Sequence, residues 1–179
     1  MTSILAASAL ALGLLLAVPQ ALAQTPAADK QQIDAIVETF RTAIIKKDTA
    51  SFMKLFLHEG ITWTGVFTDH AVEREYANRP DPKLPRPPKY FNSSPRKFIE
   101  NIAKATKARA ETFDNVRIDS DGDVAQVWFD YSFLADDKVQ NWGKESWQMV
   151  RTEAGWKIAA VVWSMEEDPA LAPASKPLK

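Results

Sequence analysis

Apolar positions in the first half of the chain recur at helical spacing. Ile33, Ile36, Val37, Phe40 and Ile44 are separated by three, one, three and four residues, which places them on one stripe of an amphipathic helix. Asp29 with Gln32 reads as a capping pair at its start, and Lys46-Lys47 suit the negative end of its dipole. Asp48 can cap a second helix whose Phe52, Leu55 and Phe56 form another stripe, closed by Gly60. Two short helices in tandem are therefore predicted, and then a strand over 61–67, where Thr, Trp and Val supply β-branched and aromatic content. Ser94-Pro95 opens a third helix, Ser as N-cap and Pro at its first position, with Phe98, Ile102 and Ala105 at helical spacing.

From Ala110 the period changes to two. Strand-like runs over Phe113–Ile118, Val124–Leu134, Val139–Arg151 and Trp156–Met165 are separated by Asp121-Gly122, Asp136-Asp137 and Glu153-Ala154-Gly155, which is hairpin turn chemistry. The pattern predicts an antiparallel meander. Between the helical and stranded parts, six of the 11 prolines fall from Pro80 to Pro95. So donor-poor a segment can be neither helix interior nor central strand, and 77–95 is expected to be a long loop, either disordered or a lid.

Composition narrows the class. The chain has 179 residues, 46% of them hydrophobic, with 22 Lys+Arg against 23 Asp+Glu, which suits one globular domain. A formal net charge of -1 argues against a nucleic-acid partner held through many phosphates. With no cysteine, disulfides, thiolate metal sites and cysteine nucleophiles are excluded. Residues 1–23 carry no charged side chain, hold an apolar run from Ile4 to Val18, break at Pro19 and end in Ala21-Leu22-Ala23, the small-x-small pattern of a signal peptide cleaved before Gln24. An uncleaved anchor is the alternative, since about 20 apolar residues can span a bilayer. The expected organisation is a signal peptide over 1–23, a linker over 24–29, one domain over 30–166 with its Pro-rich loop, and a disordered tail over 167–179 rich in Pro, Ala and charge. The expected location is the periplasm or the exterior, with no membrane contact after cleavage.

The order helix, helix, strand, long loop, helix, then four strands resembles the nuclear transport factor 2-like superfamily, which includes SnoaL-like and ketosteroid-isomerase-like proteins. The stretch WFDYSFLADDKVQNWGKESWQMVRTEAGWKIAAVVWS is similar to exported bacterial members, including those labelled lumazine-binding, through its aromatic strand, Trp142-Gly143 pair and Gly155-Trp156-Lys157-Ile158 ending. The resemblance covers roughly residues 30–166. It implies an α+β cone in which a curved, mostly antiparallel sheet packs on three helices of the N-terminal half, a pocket in the open end, and homodimers through the outer sheet face. It implies no single chemistry, because these folds host isomerases, dehydratases, binding modules and assembly domains.

On the second meander strand Ala125, Val127, Phe129, Tyr131 and Phe133 share one face, with Trp128, Asp130 and Ser132 on the other. On the next strand Glu145, Trp147 and Met149 share a face. Whether Glu145 joins Tyr131 depends on turn lengths, because one residue of register exchanges the faces. If it does, the open end holds a carboxylate and a phenol among Phe129, Trp147 and Trp63, and the apolar wall raises the carboxyl toward a useful general base or acid. Asp130 is the rival carboxylate, with an aspartate on the solvent or dimer face as its simpler reading. For Glu145 the simpler reading is a cross-strand ion pair. The catalytic candidates are thus Asp130, Glu145 and Tyr131, and the ligand-binding candidates Trp63, Phe129, Tyr131 and Trp147.

His58 and His70, twelve residues apart across a helix end, match no standard ligand spacing, so no metal site is expected. The run from Asp119 to Asp123 resembles a calcium loop only faintly, since Val124 stands where such a loop needs Gly; it reads as a hairpin turn. No cofactor is expected. Three functional readings remain, in this order: a module binding a small apolar or aromatic molecule, a cofactor-free acid–base enzyme of isomerase or dehydratase type, and a dimerisation or protein-interaction domain with Trp128 and Trp142 as anchors.

Overall fold

A computed structural model describes residues 25–171 and 173. The expected signal peptide and most of the expected tail lie outside the described residues. The elements are α1 (Ala27–Lys46), α2 (Thr49–Met53), β1 (Thr62–Phe67), α3 (Asp69–Ala77), β2 (Tyr90–Asn92), α4 (Pro95–Lys104), β3 (Arg109–Ser120), β4 (Val124–Ala135), β5 (Lys138–Thr152) and β6 (Gly155–Met165), with a 3-10 turn at Pro169–Leu171. The strands form one curved sheet in the order β2-β1-β6-β5-β4-β3, in which only the β1–β6 pair is parallel. This is the expected α+β cone, with the helices drawn from the N-terminal half.

The core joins the helical stripes to the inner face of the meander. Ile33, Phe40 and Ile44 of α1, Phe52 of α2 and Ile99 and Ile102 of α4 pack with Val127, Phe129, Trp147, Met149, Ile158 and Val161 of the sheet. Fully burying side chains of this size stabilises the fold by roughly 1.5–3 kcal/mol each before chain entropy is charged against it. Two expected caps are present: Asp48 accepts from the Ser51 amide at 3.0 Å, and Ser94 from the Lys97 amide at 3.2 Å.

Several elements differ from expectation for physical reasons. The first helix is long, 20 residues, and starts at Ala27, so Asp29 lies inside its first turn rather than at its cap. Asp29 is instead buried, 3.4 Å from both the Trp156 indole nitrogen and Arg151. The second helix stops at Met53, and Phe56 lies opposite Ile158 in a parallel bridge instead of continuing it: the Leu55 carbonyl accepts from the Ile158 amide and the Leu57 amide donates to the Ile158 carbonyl, both at 2.9 Å. Thr68, accepting from the Ala71 amide at 3.0 Å, caps α3, a helix hidden from pattern reading by its many polar residues. The Pro-rich stretch does run as loop, but only from Asn78 to Lys89, after which β2 pairs with β1 as the edge strand that such a segment can supply. Glu166, the last residue of the expected domain, is 7% exposed and bridges back to Trp142.

Candidate functional site

Three β-bulges decide which side chains enter the cone. Between β4 and β5 the pairing runs Leu134 with Val139 and then Phe133 with Asn141, so Gln140 is the extra residue. Beyond it Tyr131 faces Gly143 and Phe129 faces Glu145, which turns Glu145 inward. Between β3 and β4 the register shifts from Arg117–Trp128 to Asp114–Asp130, with Asn115 in the left-handed region at φ 55. That second bulge brings Glu111 opposite Phe133 and so also inward. The third, at Ala159 between β5 and β6, sets Trp163 opposite Glu145. Without the extra residue, each of these side chains would lie on the outer face.

Glu111, Glu145 and Trp163 line a cavity of about 210 Å³ at one end of the cone, together with Trp63 of β1, Phe98 of α4 and Tyr131 of β4. Phe40, Phe91, Ser93, Asn101, Phe133, Asn141 and Met165 complete its wall. Gly65 of β1 makes room for two of these rings, because a Cβ there would collide with both Phe91 and Trp163. Trp163 stands edge-on to Trp63 and to Phe91 at centroid distances of 5.6 Å, and Trp63 lies 5.4 Å from Phe98.

The electrostatics are those of carboxyls without countercharge. Glu111 is 4% exposed and Glu145 5%. Burial, and secondarily the negative charge of Glu145, push the Glu111 carboxyl well above the usual carboxylate range; its Oε2 makes no hydrogen bond among the described residues. Burial likewise raises Glu145, partly offset by the Trp147 indole N–H, which donates to its Oε1 at 2.5 Å, and leaves it at about 7. Tyr131 is raised by burial and by the two carboxyls, so its phenol stays protonated. Its hydroxyl donates to the Ser164 carbonyl at 3.1 Å. The chamber therefore holds two coupled carboxyls, both raised by burial and Glu145 to about 7, an arrangement able to give or take a proton or to hold a cation.

Of the side chains singled out from sequence, Glu145, Tyr131 and Trp63 meet at this cavity. Phe129 and Trp147 are fully buried behind its wall, stacked with Phe113 and Phe40 at centroid distances of 4.6 and 4.9 Å, because α1 covers the middle of the strands. Asp130 falls on the opposite face, paired with Lys144 and accepting from the Asn115 amide at 2.6 Å; the lysine and then the asparagine hold its carboxyl below the usual range. Trp128 and Trp142 are half-buried on that outer side. Glu111 lies outside the strand expected over Phe113–Ile118, because β3 already begins at Arg109. Its signal was parity, since it lies two residues before Phe113, an apolar inward position, and the following Asn115 tolerates the bulge conformation. Among the described residues, no group of three or more His, Asp or Glu is placed to hold a metal.

A curved sheet closed over helices, with its chamber at one end, defines this as a protein of the nuclear transport factor 2-like fold. No family model matches the sequence, and no curated protein matches it. The similar solved structures include a nuclear transport factor 2-like protein of unknown function from Shewanella baltica, with a TM-score of 0.56 and 13% identity over 81% of this chain and 99% of that one. A provisionally named dehydratase of the nuclear transport factor 2-like family from Streptomyces avermitilis gives 0.52 and 17% over 80% of this chain and all of its own. A provisionally named aromatic ring hydroxylase from Novosphingobium aromaticivorans gives 0.52 and 18% over 84% and 94%. Identities this low carry the fold and no activity.

Proposed function

We propose that this is an exported domain that binds a small, largely aromatic molecule in the chamber at the end of its cone. The observation that carries the reading is the chamber itself, about 210 Å³, walled mainly by aromatic rings and containing two convergent carboxyls. An apolar cavity of about 150 Å³ takes a benzene ring, so the space suits one ring with a short substituent. Native mass spectrometry of the protein from its own cells tests this, with a bound molecule of low mass as the expected result. Protein that is empty by this measure, and whose melting temperature no aromatic metabolite raises, overturns it. Export is supported by the leader-like residues 1–23, and the mature chain is expected to begin at Gln24; a chain still starting at Met1 would refute cleavage.

A second reading, cofactor-free acid–base catalysis, is favoured by one observation. Glu145 sits at about 7 beside the more strongly raised Glu111, so one carboxyl can accept a substrate proton while the other donates. The Tyr131 hydroxyl, already donating to Ser164, acts here as a positioning group rather than the donor. Exchange of deuterium from solvent into a bound ketone or enol, lost in Glu145→Gln, is the expected signature. Equal exchange in that variant would exclude the role.

A further inference from the structure

We propose that the chamber selects an organic cation, a one-ring molecule bearing a protonated amine or amidine whose nitrogen lies between Glu111 and Glu145 and whose ring lies among Trp63, Phe98 and Trp163. The proposal deepens the small-molecule reading and rests on it.

Two buried carboxyls in an aromatic chamber need a countercharge or must stay neutral, because an unpaired buried charge costs several kcal/mol. The protein supplies none: no Lys, Arg or His lines the chamber, and among the described residues neither carboxyl is in an ion pair. The titratable groups facing it are Glu111 from β3, Tyr131 from β4 and Glu145 from β5; α1, α4, β1, β2 and β6 contribute none. Arg109 lies 5.9 Å from the centroid of Phe133 but is not part of the lining. Glu111, whose Oε2 is buried and has no hydrogen-bond partner among the described residues, is one of the residues lining that chamber.

A ligand ammonium supplies what is missing, a positive charge and up to three N–H donors, and aromatic faces attract cations by their quadrupole. The alternatives fit less well. An anion would add negative charge to an acidic chamber, and a neutral hydrocarbon ring would occupy the aromatic wall while leaving Oε2 unsatisfied.

The test is calorimetric titration of the purified protein with benzylammonium, benzyl alcohol and benzoate. At about pH 8, benzylammonium is expected to bind at least tenfold more tightly than benzyl alcohol, and benzoate not to bind. At about pH 5 the preference should shrink, as both carboxyls hold protons. Near pH 6, binding should release up to about one proton, read from the dependence of the heat on buffer ionisation. Glu111→Gln with Glu145→Gln should abolish the preference while benzyl alcohol still binds, which shows that the chamber remains intact. If benzyl alcohol or benzoate binds as tightly as benzylammonium at the higher pH, the cation assignment falls and the chamber reading stands. If none of the three binds, both fall.

Discussion

Glu166 and the Glu111–Glu145 pair are the same residue type and all little exposed, 7% against 4% and 5%, yet they are driven in opposite directions. Burial pushes Glu166 upward too, but the Thr68 hydroxyl at 2.6 Å, the backbone amides of Glu167 and Asp168 at 2.9 and 3.0 Å, and His70 Nδ1 at 3.1 Å outweigh it and hold the carboxyl at about 2. Glu145 has one such donor and stands at about 7, and Glu111 Oε2 has none. Glu166 has four donors and fewer protein atoms packed around it than the chamber pair, and the two differences together keep it charged. Glu166 thereby works as a structural clasp, tying the end of β6 to the cap of α3, while the other two are left chemically available.

The largest expected effect is on the clasp. Glu166→Ala should cost about 3 kcal/mol at neutral pH, because it orphans the Thr68 hydroxyl and two amides, and denaturant titration reads the loss. Its folded value lies below the ordinary 4.5, so its contribution is present above about 4.5 and disappears as pH falls through about 2. The difference between variant and parent should shrink over that window. A difference that does not change with pH would mean that Glu166 acts through packing alone.

Next comes the opposite sign in the chamber. Glu145 is raised from 4.5 to about 7, so the stability it contributes is complete below 4.5 and is lost as pH rises through about 7. Glu145→Gln should therefore stabilise the protein by about 2 kcal/mol at pH 8 and by much less at pH 4. Destabilisation at both values would show that the carboxylate is satisfied by some other donor.

Smaller again is the response of Glu145 to its single donor. Trp147→Phe removes the indole N–H, so the Glu145 carboxyl should titrate higher than about 7 by carbon-detected NMR, with an expected displacement of roughly half a unit to one unit. No displacement would leave the hydrogen bond without electrostatic weight. Least affected should be Asp130→Asn, on the solvent side of the same strands. Its pair with Lys144 is partly exposed, so the expected cost is under about 1 kcal/mol, with ligand binding by calorimetry unchanged.

Much of this architecture is legible along the chain. The stripe from Ile33 to Ile44, the caps at Asp48 and Ser94 and the period of two after Ala110 are local signals, and each produced the expected type of element. Local signals failed where polarity hid the packing, as in α3, and where an isolated bridge replaced a helical turn, as at Leu55 and Phe56. The candidate site was half legible: Glu145, Tyr131 and Trp63 were named, whereas Glu111 and Trp163 were not. Phe129 and Trp147 were correctly placed on the inner face but lie too deep to touch the chamber, since only docking of α1 fixes how far the core fills the cone.

Sequence by itself determined the alternation of faces and the hairpin turns, because those follow from side-chain period and turn chemistry within a few residues. It could not determine the parity of the strands. That was decided by the extra residues at Gln140, in the Asn115–Val116 pair and at Ala159, each of which reverses the side to which every later side chain points. A bulge forms where the sheet must bend to wrap its helices, so its position is a property of the assembled cone and not of any short stretch of chain.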